Sequence, residues 1–261
     1  MDETTKIIRD FYNENALGEW NRIDGRPEFL ITCNFIDRYI KASDKVLDIG
    51  GGPGRYSLYL AEKGCDVTLF DLSEENVKFA SERGIKAIAG DARTVAEKFT
   101  EQFDHILLMG PMYHLLQESD RIKAVNSALK LLKTGGKIFI SFISLSGGLI
   151  WGIKCKPESI IDEREIGFYN IILNNESFTG QAFTQAFIIN QREVLPFMEQ
   201  FPLTKLHFFG QEGITSPCEG NIMSQSKEIV DAWIDFAIKL SEREELLSWS
   251  EHLMYIGEKI N

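Results

Sequence analysis

Apolar and polar positions along this chain follow two periods, and the change from one to the other divides it. Ile7, Ile8, Phe11 and Tyr12 recur at helical spacing. Pro27, followed by Phe29, Cys33, Ile36 and Ile40, predicts a second helix with proline in its first turn. From about residue 45 to 143 the texture alternates. The runs Lys45–Ile49, Asp66–Phe70, Lys86–Ala89, His105–Met109 and Lys137–Ile143 read as strands. Helical runs separate them. One opens after Ser73, a suitable N-cap, and stops at Gly84. Another carries Ile122, Val125, Leu129 and Leu132 and ends before Gly135-Gly136. Strands alternating with helices demand parallel pairing and right-handed crossovers, which predicts a doubly wound α/β sheet.

Beyond residue 143 the alternation stops. Residues 144–200 read as irregular, apart from a strand at Phe183–Ile189 and a short helix at Glu193–Gln200 with Pro196 in its first turn. A strand at Lys205–Phe209 follows. Ile229, Trp233, Phe236 and Leu240 form a helical stripe, Ser241 and Glu244 have capping-box spacing, and a last strand spans His252–Glu258. The predicted division is a helical N-terminal cap at 1–44, a binding core at 45–143, a cap insertion at 144–200, and C-terminal strands of the same sheet at 201–261, interrupted by helices at about 211–250.

Composition adds limits. The 261 residues suit one large domain, and the net charge of −11 is spread over both halves with no basic block. Phosphate backbones are bound by clustered Lys and Arg, so a dedicated DNA binder is disfavoured. Cys33, Cys65, Cys155 and Cys218 form no CxxC pair, so no metal site is expected and a reducing compartment is. The start is acidic and shows no signal-peptide pattern. The longest uncharged run, Ile138 to Ile153, is too short to span a membrane and is interrupted by Gly147 and Gly148. The expected location is cytoplasmic.

The informative stretch is Val46-Leu47-Asp48-Ile49-Gly50-Gly51-Gly52-Pro53-Gly54-Arg55, a buried strand ending in a carboxylate and a glycine-rich turn. Glycines there let ligand atoms approach the backbone, at the strand end where open α/β sheets bind ligands. A dinucleotide fingerprint needs glycine at the sixth position from Gly50, and Arg55 stands there, which argues against a nicotinamide oxidoreductase. Asp71 ends the second strand, where a carboxylate can accept hydrogen bonds from both hydroxyls of a ribose or cap the helix after it.

The spacing Asp48-x-Gly50-x-Gly52-x-Gly54 resembles motif I of the class I S-adenosylmethionine-dependent methyltransferases. Gly90-Asp91-Ala92, the Met109-Gly110-Pro111-Met112-Tyr113-His114-Leu115 strand ending and Leu131-Leu132-Lys133-Thr134-Gly135-Gly136 are similar to further motifs of that family, with Thr134 in place of a usual proline. The last strand resembles the family's closing strand. The resemblance implies a Rossmann-like seven-stranded sheet, last strand antiparallel, with helical or irregular cap insertions. It also implies S-adenosylmethionine as cofactor and S-adenosylhomocysteine as product.

The resemblance then assigns roles. Asp48 would meet the methionyl amine; Gly50, Gly51 and Gly52 would leave room beside the amino-acid part. Asp71 and Leu72 would hold the ribose side, Asp91 and Ala92 the adenine, and Met109 and Gly110 the reacting face. Arg22 could pair with the methionyl carboxylate, or instead with Glu19 or Asp24, and Tyr12 could close over the cofactor. Tyr113 and His114 are the candidate general bases; a packing role competes for His114. Trp151, Phe168, Phe178, Phe183 and Phe187 could line an apolar acceptor pocket or form cap core. The implied reaction is direct methyl transfer to a small-molecule acceptor. A non-catalytic cofactor-binding protein, or an RNA or protein methyltransferase, stays open at this stage.

Overall fold

The computed structural model describes residues 2–23 and 25–261; Asp24 lies outside them. In chain order the helices are α1 (Glu3–Ile23), α2 (Pro27–Tyr39), α3 (Arg55–Glu62), α4 (Glu74–Ser81), α5 (Glu118–Leu131), α6 (Leu145–Cys155), α7 (Ile166–Asn174), α8 (Gln191–Met198), α9 (Glu219–Met223) and α10 (Lys227–Leu240). The strands are β1 (Lys45–Ile49), β2 (Asp66–Asp71), β3 (Lys86–Ala89), β4 (Phe103–Leu108), β5 (Leu132–Ile143), β6 (Phe178–Gln181), β7 (Gln185–Ile188), β8 (Leu203–Gly210) and β9 (His252–Lys259). Seven of them form one sheet in the order β3-β2-β1-β4-β5-β9-β8, while β6 and β7 pair as a separate hairpin. β1 to β5 run parallel; β9 runs antiparallel to both β5 and β8, inserted between them. No helix among the described residues is long and apolar enough to cross a membrane.

Alternation along each strand feeds two cores. Ile106 and Leu108 of β4, Ile138 and Ile140 of β5, and Leu253 and Tyr255 of β9 enter the cluster completed by α5 and α8. Leu107, Phe139, Met254 and Ile256, one residue out of phase, enter the other, under α2, α3 and α10. There Phe35 of α2 stacks on Phe209 of β8, centroids 3.7 Å apart and rings 11° from parallel, both fully buried.

Local signals explain most boundaries. The Ser73 hydroxyl accepts from the Asn76 amide at the start of α4, and Gly84 takes φ +83° after its end. Pro27 opens α2 as expected. Several expectations are corrected. Residues 145–155 and 166–174 are helices rather than irregular chain. The helix around Pro196 begins at Gln191, so Pro196 sits inside it rather than in its first turn. The Ser241 hydroxyl donates to the carbonyl of Ile238 at the end of α10 instead of capping a new helix; the next turn, at Glu244–Trp249, is 3-10 and starts from Arg243. Ile7 is exposed, because α1 turns its Thr5-Ile8-Tyr12 stripe inward instead.

Truncating the stacked ring tests the second core. Phe209→Ala should destabilise the chain by about 3–5 kcal/mol in urea unfolding. A loss below about 1 kcal/mol would mean that the stack contributes no more than a surface contact.

Candidate active site

The sheet changes direction of growth at β1, which pairs with β2 on one side and β4 on the other. The loops leaving β1 and β4 meet there. The Gly50 amide donates to the carbonyl of Phe70 at 2.6 Å, with Gly50 at φ +71°. A Cβ on Gly50 would fall 2.4 Å from Cδ of Pro111, and one on Gly110 would fall 2.5 Å from the carbonyl oxygen of Gly50. Gly52 differs: at φ +56° a Cβ would meet no atom within 4 Å. The first two glycines allow the loops to touch, and the third lies against open space.

That space is a cavity of roughly 1100 Å³, mouth included, over the carboxyl ends of the strands. It brings together the cofactor and general-base candidates: Tyr12, Arg22, Asp48, Gly50, Gly51, Gly52, Asp71, Leu72, Asp91, Ala92, Met109, Gly110, Tyr113 and His114 all line it. Helix α1 lays Thr5, Ile8, Tyr12, Glu19 and Arg22 along one wall.

Two carboxyl groups dominate the floor. Asp48 is buried, its only hydrogen bond from the described residues coming from the Ser57 hydroxyl at 2.7 Å. Burial, opposed by that hydrogen bond and helped by the nearby Asp71 charge, pushes its carboxyl up to about 7. Asp71 accepts from the amides of Gly52 and Ser73, each at 2.8 Å, and from the Asn76 side-chain amide at 3.2 Å. Burial still raises its carboxyl above the usual range. The Asn76 Oδ1 atom, buried at the cavity wall, has no hydrogen-bond partner among the described residues. Asp71 thus ties the glycine loop to the start of α4, and the unsatisfied acceptor beside it calls for a donor from the cavity.

The remaining candidates are more engaged than the sequence suggests. Both oxygens of Asp91 are held by the Arg93 guanidinium, which also reaches Asp120 and Thr5. Its carboxylate is a strut across the wall, leaving backbone and Ala92 as the free surface there. Arg22 donates to Glu19 at 2.9 Å and to the buried Glu28 at 3.0 Å. The competing Glu19 pairing is therefore present, with a third of the Arg22 side chain still exposed at the cavity.

His114 has both ring nitrogens occupied. Nδ1 lies 3.1 Å from the carbonyl oxygen of Gln185, so it donates, and Nε2 accepts from the Tyr12 hydroxyl at 2.7 Å. Burial lowers the imidazole to about 4. A neutral ring with no free lone pair latches α1 to the loop after β4; in this arrangement it cannot take a proton from an acceptor. Tyr113 lines the cavity with no hydrogen bond to its hydroxyl from the described residues. The suggested aromatic pocket is corrected: Trp151, Phe168, Phe178, Phe183 and Phe187 do not line the cavity. Phe187 is buried in core, Phe168 of α7 and Phe178 of β6 pack on Leu145, Ala186 and Ile188 in a separate cluster, and Trp151 and Phe183 are half exposed.

Sequence reasoning missed one cluster. Glu28 of α2, Glu212 after β8 and His252 at the head of β9 place a carboxylate oxygen each and a ring nitrogen within 4.8 Å of one another. His252 Nδ1 lies 2.6 Å from Glu212 Oε1, and Glu28 pairs with Arg22. Such a set could seat a cation, but here a shared proton and a guanidinium already balance its carboxylates. Burial alone would lower the His252 imidazole; the charges of Glu212 and Glu28 and the bond to Glu212 outweigh it and raise it to about 9. Nothing local in the sequence marks these residues, because three distant segments supply them.

Comparison with known proteins agrees with this geometry. Residues 46–136 match the family model described as a methyltransferase domain. Ubiquinone biosynthesis O-methyltransferase of Pseudomonas fluorescens strain Pf0-1 is 32% identical over 121 residues, 44% of this chain and 51% of that protein. The same enzyme of Xylella fastidiosa strain 9a5c is 33% identical over 121 residues, covering 44% and 48%. The chain thus spans about half the length of the curated relatives it matches. Among solved structures, magnesium protoporphyrin IX methyltransferase of Synechocystis PCC 6803 with bound S-adenosylhomocysteine superposes at a TM-score of 0.58 with 13% identity, over 98% of this chain and 100% of that one. An N-methyltransferase of Bradyrhizobium japonicum WM9, with the same ligand, gives 0.54 and 15% identity over 92% and 91%. At these identities the shared property is the fold.

The Asp48 carboxyl makes apo stability depend on pH. Folding raises its affinity for a proton, so the stability it contributes is complete below the unfolded value of about 3.9 and is lost as pH rises through about 7. The melting temperature of Asp48→Asn should therefore rise relative to wild type between about pH 5 and about pH 8. Parallel profiles would remove the buried-carboxyl account.

Proposed function

We propose that this chain, which carries a class I S-adenosylmethionine-dependent methyltransferase domain, transfers the methyl group of S-adenosylmethionine to a small-molecule acceptor by direct displacement. The observation that carries this reading is the shared cavity, in which Asp48, the Gly50–Gly52 turn, Asp71 and the unsatisfied Asn76 Oδ1 line the wall.

The donor set fits the cofactor part by part. Asp48, buried where an isolated carboxylate is unfavourable, gains its charge back when an ammonium lies beside it. Gly52 leaves the space a Cβ would fill, so the methionyl chain can lie on backbone. Asp71 accepts from ribose hydroxyls, with Asn76 Oδ1 as a further acceptor. Ala92 and Leu72 frame the adenine; Asp91 acts through its grip on Arg93. Met109 and Gly110 form the face where the methyl is presented, and Tyr12, latched by His114, closes that face against water.

When bound, S-adenosylmethionine supplies a methyl group already activated by the sulfonium charge. The protein's contribution is alignment of acceptor and donor together with exclusion of water. Asp48 and Asp71, neither paired with a cationic side chain among the described residues, suit a cationic donor. A cavity walled by α1, in a chain of net charge −11, suits a small acceptor better than a nucleic acid. Four free cysteines fit a reducing compartment, and the proposal includes a cytoplasmic location.

Calorimetry with S-adenosylhomocysteine tests the assignment. Asp71→Ala should weaken binding by about 10–100-fold, the loss of one or two hydrogen bonds to a charged acceptor. Binding within about twofold of wild type would remove Asp71 from the ribose. Radiolabel transfer from the donor to cell-extract acceptors tests catalysis; tight donor binding with persistent absence of label would favour a non-catalytic binding protein.

A further inference from the structure

The cofactor roles proposed above leave out the His252–Glu212 pair, yet His252 lines the same cavity. We infer that His252 is the acceptor-facing residue: its Nε2 atom binds, and where needed deprotonates, an acidic hydroxyl on an unsaturated carbon, a phenol-like oxygen nucleophile, while Glu212 positions the ring. This rests on the methyl-transfer reading and names its acceptor class.

Geometry singles out one nitrogen. Glu212 is buried, and its carboxylate accepts from the Ser250 hydroxyl at 2.8 Å, the His252 amide at 2.9 Å and the His252 ring at 2.6 Å. A carboxylate accepts, so Nδ1 carries a proton, and the free chemistry of the ring is at Nε2. That atom makes no hydrogen bond with the described residues. The Tyr113 ring lies 6.5 Å away, its hydroxyl equally unengaged. The other cavity histidine, His114, has neither nitrogen free. A base oriented by a buried carboxylate, with its second nitrogen open to a cavity, is the arrangement that proton transfer requires.

Charge selects the class of acceptor. Facing His252 are Glu212 after β8, Glu28 of α2, Arg22 of α1 and the Tyr113 phenol after β4, with Glu19 behind Arg22. The two nearest carboxylates keep the ring protonated through neutrality, up to about pH 9. Nε2–H is then a charged donor. It attracts an oxyanion and repels an ammonium, so an amine acceptor is disfavoured. An acceptor that arrives ionised pairs with the imidazolium directly; one that arrives neutral gives its proton to the minor, neutral form of the ring. Either route ends in the same ion pair. The oxygen lone pair then forms the C–O bond as the C–S bond breaks, leaving its electron pair on sulfur. The proton is accounted for on both routes: an ionised acceptor has lost it to water before binding and the ring stays protonated throughout, whereas a neutral acceptor's proton ends on Nε2, which returns the ring to its resting protonated form.

The test uses the full chain saturated with S-adenosylhomocysteine, in EDTA so that no adventitious ion occupies the cluster. The probes are 4-nitrophenol, whose visible absorbance reports its anion, and 4-nitrobenzylamine. Wild type should bind the phenolate saturably and the amine not at all. His252→Gln should weaken phenolate binding by about tenfold or more while keeping S-adenosylhomocysteine affinity within about threefold, which also reports folding. In Glu212→Gln the upper pH limit of phenolate binding should fall from about 9 toward the ordinary imidazole value of about 6.5. No saturable phenolate binding by wild type, equal binding by His252→Gln, or tighter binding of the amine would overturn the assignment. An unmoved pH limit in Glu212→Gln would overturn the positioning role. Absence of S-adenosylhomocysteine binding by wild type would strike the cofactor reading beneath it, a result separable from the others.

Discussion

Everything at the ligand edge depends on one contact between backbones. Where β1 and β4 end, Gly110 lies so close to the carbonyl of Gly50 that a Cβ would sit 2.5 Å from its oxygen. Two parallel strands can be neighbours in a sheet while their connections leave in different directions, and the gap that opens between those connections is the binding crevice. Here the gap is pinched shut at its base by glycine on both sides and left open two residues further, at Gly52. The depth of the cavity is therefore set by backbone rather than by side chains, and side chains are free to supply chemistry.

That chemistry begins from a charge imbalance. Asp48 and Asp71 are both buried beside the turn, and burial raises both carboxyls. Only Asp71 is rewarded with several donors, including two backbone amides. Asp48 has a single hydroxyl. A fold selected for apo stability alone would be better served by an apolar residue at that position, because a partly satisfied buried carboxyl is costly. On the methyl-transfer reading proposed above, a cationic ligand would complete the site, and the residue that weakens the empty protein would strengthen the liganded one.

How much of this was legible in the sequence follows from how local each signal is. The strand positions from residue 45 to 143, the capped helix after Ser73 and the glycine turn all depend on neighbours a few residues apart, and they appear as read, within a few residues. The helix α6 was hidden because Gly147, Gly148 and Gly152 depress helix propensity. Its glycines serve packing: a Cβ at 147 would fall 2.7 Å from the carbonyl oxygen of Glu251, and one at 148 would fall 2.4 Å from the Phe168 ring. Helix α7 buries no residue fully; Phe168, Ile171 and Ile172 pack on a small side cluster, while Ile166 and Leu173 stay exposed, so apolar residues fall on both faces and blur the helical period. His114 was placed correctly at the cavity, but its occupancy by Tyr12 and Gln185 involves separations of 102 and 71 residues. Local spacing carries no information about such partners.

The same argument accounts for His252. It is the first residue of β9, paired with Ile143, the last residue of β5. Because β9 runs antiparallel, its beginning lies where the parallel strands end, at the ligand edge. Glu212 follows the end of β8, which runs parallel to them and so finishes at that edge too. The antiparallel insertion thus does more than close the sheet. It brings a strand start beside strand ends, and the Gln211 amide donating to the His252 carbonyl at 2.9 Å fixes the two segments in register. With β9 parallel, residue 252 would lie at the opposite edge, a strand length from Glu212, and the cavity would have lost the histidine whose Nε2 makes no hydrogen bond with the described residues.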